Sequence, residues 1–192
     1  MTNSNSSNVF NEFRELLNTA DLADLGSRRR PAALPLKKLY DQIDALLGHT
    51  ALPKRAQDLM RGTLLLWHDH LDESHEIAQN IEDADGSLLH AIMHRREPDY
   101  WNSKYWFRRV GQHPCYPMIA TRVLALLGSE HKELASRIVP AGSWDPFAFV
   151  DVCEEAAGRA TEDSRKALLQ RVQKIEFETL LEHLLQIKSS KL

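Results

Sequence analysis

The chain has 192 residues, 43% of them apolar and 27% charged, with a formal net charge of -3. That length suits one domain able to bury a core without staples, and the acidic balance gives no global attraction to nucleic acid or acidic membranes. Cys115 and Cys153 lack any paired spacing and read as free thiols of a reducing compartment. The Asn/Ser-rich start is neither a signal nor a transit peptide, and no apolar run reaches bilayer length, so a cytoplasmic location is the expectation.

Helical periodicity recurs along the chain and no run alternates like a strand, so the expected fold is all-α: a single-domain multi-helix bundle with irregular connections and no significant sheet. Residues 1–8 read as a flexible tail and 9–192 as the domain. Phe10, Phe13, Leu16 and Leu17 open the first helix, which closes near Gly26 before a basic linker, Arg28 to Arg30. Leu36, Leu39, Tyr40, Ile43, Leu46 and Leu47 form an amphipathic second helix ending at Gly48.

Pro53 opens a third, whose pattern from Ala56 to Ile81 predicts about seven continuous turns with Gly62 as a point of bending. Asp83 to Ser87 reads as a tight connection that turns the next helix, Leu88 to about Glu97, back against its end. Further helices are expected from Tyr100 to Val110 and from Tyr116 to Leu127. Asp145-Pro146 starts another, and Thr161 caps the last, with Glu162 and Asp163 in its first turn.

Six of the nine histidines lie between Trp67 and Pro114. His90 and His94 stand one helical turn apart on one face, with Glu97 a turn further on. Folding the long helix back brings His75 to about the depth of His94, a geometry that allows imidazoles to share a divalent transition metal. Metal ligands on this reading are His75, His90 and His94, and the acid/base candidates are His75, His94 and Glu97. The competing reading is ordinary: histidines at helical spacing that hydrogen-bond to neighbouring carboxylates or carbonyls. His-Glu-x-x-His is absent, and aligning Gly86 with a calcium loop puts isoleucines at its first and last ligand positions, which excludes that loop.

After Glu97 the character changes. Four arginines, one lysine and five aromatic rings occur between His94 and Pro114. Guanidinium groups recognise carboxylate or phosphate in two-point contacts, and rings add stacking. Arg95, Arg96, Tyr100, Trp101, Lys104, Tyr105, Arg108, Arg109 and His113 are therefore the expected contacts of a small anionic or polar ligand. Nucleic acid is disfavoured by the overall charge and by five carboxylates between Asp69 and Glu82. Cys115 beside His113 reads as a structural cysteine, not a nucleophile. Histidine- or metal-assisted hydrolysis is the first reaction to consider, and a non-catalytic interaction or structural module the alternative. The sequence does not fix the oligomeric state.

The string His90-x-x-x-His94-Arg-Arg-Glu-Pro-Asp-Tyr100, then Asn102-Ser-Lys-Tyr-Trp-Phe-Arg-Arg-Val-Gly-x-His-Pro114, preceded by Leu71-Asp-Glu-Ser-His75, resembles a family of uncharacterised microbial proteins. The likeness spans about Trp67 to Pro114, roughly a quarter of the chain. It implies membership and carries no activity, substrate or cofactor.

Overall fold

The computed structural model describes residues 3–160 and 163–187, with side chains from residue 8 onward. Among the described residues there are ten α-helices and no strand. They are α1 Asn3–Glu15, α2 Leu36–Leu47, α3 Lys54–Trp67, α4 Leu71–Ala78, α5 Ala84–Arg96, α6 Tyr100–Val110, α7 Tyr116–Leu127, α8 Lys132–Ile138, α9 Pro146–Ala156 and α10 Ser164–Leu184, with a 3-10 turn at Pro140–Gly142. Among the described residues no helix is long and apolar enough to cross a membrane.

Two helices organise the rest. α10 packs against α1, α3, α7 and α9, while α5 packs against α3, α4 and α6. α5 is buried from Asp85 to Arg96, an unusual state for a segment holding two histidines and two arginines. Its apolar side chains, Leu88, Leu89, Ile92 and Met93, join one core with Phe13, Leu39, Ile43, Leu59, Trp67, Phe107, Val123, Phe149, Leu169 and Phe177. Trp67 meets Phe177 edge-on at 5.2 Å between ring centroids, tying α3 to α10.

The expected long helix is broken. α3 ends at Trp67, and Asp69 takes a left-handed conformation, φ 63°, before α4 begins at Leu71. Aspartate tolerates that region better than most residues. Here its buried carboxylate also accepts from Arg30 N and Nε, both at 2.9 Å, and from an Arg96 Nη at 2.7 Å. Two distant arginines thus hold the break, which no local periodicity announces. Gly62 lies inside α3 for another reason: a Cβ there would stand 2.7 Å from Leu89 Cδ2, so its absence lets α5 approach. The same network corrects the basic linker, because Arg30 is buried while Arg28 and Arg29 are exposed.

Other boundaries move as well. α1 starts at Asn3, inside the expected tail, and ends at Glu15. α5 starts at Ala84, with Asp83 capping Gly86 N at 3.0 Å, so Asp85 and Gly86 belong to the helix and not to its connection. A Cβ at Gly86 would overlap the carbonyl oxygen of Ile81. α8 has no counterpart in the sequence reading. Asp145 caps α9 through Phe147 N and Ala148 N, with Pro146 in the first turn as expected. The last helix is capped by Asp163, which accepts from Arg165 N and Lys166 N. The expected cap Thr161 and its neighbour Glu162 lie outside the described residues.

Candidate metal centre

His75 on α4 and His90 and His94 on α5 converge. Ring centroids are 4.7 Å apart for His75 and His90, 5.2 Å for His75 and His94, and 4.7 Å for the stacked pair His90 and His94. One nitrogen from each ring lies within 4.8 Å of the other two. Zinc-type ions hold imidazole nitrogens at about 2.0–2.1 Å, so donors on one tetrahedral ion stand about 3.3 Å apart. Closing the triad therefore takes shifts on the order of 1 Å, within the reach of side-chain rotation.

α6 forms one wall. The Trp106 ring lies 3.9 Å from the His90 ring at 21°, and the Arg109 guanidinium stands 5.2 Å from the same indole. Asn102, one turn earlier on α6, places Nδ2 3.0 Å from His94 Nε2. Glu97 Oε2 lies 3.1 Å from His94 Nδ1. A carboxylate can only accept, so Nδ1 of His94 carries the proton and the Nε2 lone pair accepts from Asn102 Nδ2, a bond that a metal at this nitrogen would replace. This is how a carboxylate orients a metal-binding histidine.

The electrostatics single out His90. It is 3% exposed, yet neither of its ring nitrogens has a hydrogen-bond partner among the described residues. Burial, and then the neighbouring His94 and His75, push its pKa down to about 3, so the ring is neutral and offers a lone pair. Burial also lowers His94, partly opposed by Glu97.

A second cluster lies nearer the opposite end of α5. Asp85 Oδ1 accepts from His113 Nε2 at 3.0 Å and from His183 Nε2 at 2.9 Å, and Arg55 Nη2 reaches its other oxygen at 2.5 Å. Burial raises the Asp85 pKa, but the bonds from His113, His183 and Arg55 outweigh it and hold the group well below the usual carboxylate range. Asp85, His113 and His183 too are close enough to hold a metal. The proton inventory separates them from the first cluster. His113 Nδ1 accepts from Cys115 N at 3.2 Å, so its hydrogen is on Nε2, facing Asp85. A nitrogen that donates cannot ligate, and this cluster closes as a hydrogen-bonded junction of α5, the segment before α7, and α10.

The expected ligand-binding arginines divide. Arg95 is fully buried, with Nη1 and Nη2 on Glu176 at 3.1 and 2.5 Å and its guanidinium 4.5 Å from the Phe149 ring. Arg96 is equally buried on Asp69, the Leu66 carbonyl and the Gly26 carbonyl. A guanidinium enters a core only with such partners, so both brace the scaffold and neither is free for an anion. His113 is corrected in the same way, from ligand contact to partner of Asp85. Lys104 pairs with Asp151, and Tyr100 is half-buried.

Trp101, Tyr105, Arg108 and Arg109 are exposed on α6. The groove nearest Glu97 is acidic, lined by Asp72, Glu73, Glu97 and Asp99 with Arg29. Both cysteines are free and buried, and burial pushes the Cys115 thiol up to about 12, which removes it as a nucleophile.

Sequence reasoning missed Asp85, taken for part of a turn, and His183, which lies 98 residues from it in the chain. No local pattern pairs them. The fold and the two clusters define an all-helical protein with a three-histidine group in which His90 and His94 are buried and His75 half-buried. Comparison with protein families, with curated proteins and with solved structures returns no match.

Proposed function

We propose that the protein binds a divalent transition metal of the zinc type through His75, His90 and His94 and uses it to assist hydrolysis. The observation that carries this reading is His90, a buried ring with two unpartnered nitrogens inside a triad of imidazoles. An unsatisfied buried polar group costs about 1–3 kcal/mol, and a metal bond would remove that cost. His75, His90 and His94 would hold such an ion by three bonds, and the ion would supply a Lewis acid able to activate water near neutral pH. Glu97 then orients His94 and raises its basicity without being a ligand. A metal at His94 Nε2 would release the Asn102 amide that now donates to it, leaving that amide to hydrogen-bond a polar substrate group. Two buried free thiols agree with a reducing, cytoplasmic setting.

A second reading, a metal clasp with no catalysis, is favoured by the burial of His90 and His94 at 3% and 5% exposure. Elemental analysis of tag-free protein tests the shared premise: about one zinc, iron, nickel or manganese per chain is expected, lost in His90→Leu. Tag-free protein without stoichiometric metal, and without thermal stabilisation by any of these ions, ends both readings. Metal binding with no hydrolysis across ester, amide and phosphoester panels selects the clasp.

A further inference from the structure

The outward face of α6 carries features that the metal reading leaves unused. Trp101, Tyr105, Arg108 and Arg109 are at helical spacings of three and four and share one side. Trp101 is 74% exposed and Tyr105 38%, although burial is the usual fate of such rings. Their planes lie within 13° of parallel at 6.3 Å between centroids, which makes a flat aromatic step. Most arginines of the chain are ion-paired, but Arg108 and Arg109 have no carboxylate partner among the described residues. Lys104, on the same helix, is neutralised by Asp151. Two uncompensated guanidinium groups thus stand about 5–6 Å along the axis from the Tyr105 position and about 11–12 Å from that of Trp101, at 1.5 Å per residue.

We propose that this face binds a ring-bearing phosphate monoester of nucleotide size, its ring stacked on Trp101 and Tyr105 and its phosphate held by Arg108 and Arg109. A planar ring matches the parallel side chains, and a doubly charged phosphate matches two adjacent guanidinium groups in charge and in two-point geometry. A mononucleotide fits better than a long strand. Asp72, Glu73, Glu97 and Asp99 line the groove beyond the N-terminal end of α6 and would repel further phosphates. The position matters too, since Arg109 sits on the Trp106 ring that covers His90, one ring removed from the histidine triad. The inference goes beyond the metal reading and stands without it.

The test is calorimetric titration of the full chain with adenosine 5′-monophosphate, adenosine, inorganic phosphate and an eight-residue oligoadenylate, in zinc-loaded and in chelator-treated protein. The monophosphate should bind at least about tenfold more tightly than adenosine or phosphate alone, with or without zinc. Arg108→Gln should weaken the monophosphate about tenfold and leave adenosine unchanged, whereas Trp101→Ala should weaken the monophosphate and adenosine alike. Both side chains are exposed, so unchanged circular dichroism and zinc content confirm that the variants are intact. The proposal is overturned if the monophosphate binds no better than phosphate, if neither variant changes its affinity, or if the oligonucleotide binds more tightly per nucleotide than the monophosphate. Loss of zinc binding in His90→Leu with monophosphate binding preserved would separate this site from the fate of the metal site.

Discussion

The two three-residue clusters on α5 look alike as residue sets and differ in where their protons are. In Asp85, His113 and His183, each imidazole nitrogen facing the carboxylate donates to it, and Cys115 N fixes the tautomer of His113 from behind. In His75, His90 and His94, among the described residues, only His94 has an orienting carboxylate, and His90 is buried with both nitrogens unpartnered. Proximity of ligand-type side chains therefore does not identify a metal site; unclaimed lone pairs do. One cluster is closed by its own hydrogen bonds, and the other keeps the unpartnered His90 on which the metal proposal rests.

The largest expected effect falls on the finished cluster. Asp85→Ala strands two histidines and Arg55 in a largely buried junction and should cost about 3 kcal/mol in urea unfolding. A loss below about 1 kcal/mol would show that the junction is not what joins α5 to α10. Next comes metal: zinc at a hundred times its Kd should stabilise the wild type by about 2.7 kcal/mol and His90→Leu not at all. A variant at the other cluster, Asp85→Asn, should keep the full gain, and loss of that gain would mean that the metal sits there instead.

Acid should undo the two clusters in sequence. His90, at about 3, and His68, at about 4, stay neutral in the fold but take up protons in the unfolded chain below the ordinary histidine value of 6.5, and His94 is lowered as well. The unfolded state then binds more protons, so the stability of metal-free protein falls as pH drops from 6.5 toward 4, by about 1.4 kcal/mol per pH unit for each such group. Asp85 has the same sign in a lower pH window, because its folded pKa is likewise depressed. Its contribution is present above the ordinary carboxylate value of 3.8 and is lost only below it. A pH series of unfolding curves should therefore show a slope shallower by about one proton in His90→Leu and undiminished in Asp85→Asn between pH 6.5 and 4. Equal slopes in His90→Leu and wild type would contradict a buried neutral His90. The smallest effect is expected from His90→Leu without metal at pH 7.5, a gain of about 1 kcal/mol from replacing an unsatisfied imidazole by an apolar group of similar size.

Several of these features could be read from the chain. The His90 and His94 pair, one turn apart, follows from helical periodicity alone, as do the stripes of α2 and α9 with their glycine or Asp-Pro boundaries. Helical periodicity predicts a continuous helix carrying His75 to the same place, whereas α4 is a separate piece that begins after the break at Asp69. The arginines resisted sequence reading because Arg95 and Arg96 are adjacent and alike, yet Glu176 and Asp69, which bury them, lie 81 and 27 residues away. Exposure could not be assigned to Arg108 and Arg109 in preference to Arg95 and Arg96 without knowing which faces of α5 and α6 the other helices cover.

The sequence by itself determined the all-helical class, the one-turn spacing of His90, His94 and Glu97, and the aromatic and basic density of α6, because all of these depend on neighbours within a few residues. Only the tertiary structure decided which histidines are satisfied, which arginines are buried and where α3 ends. Those outcomes depend on a carboxylate arriving from a distant segment, and hydrogen bonds and ion pairs of that kind leave no periodic trace in the chain.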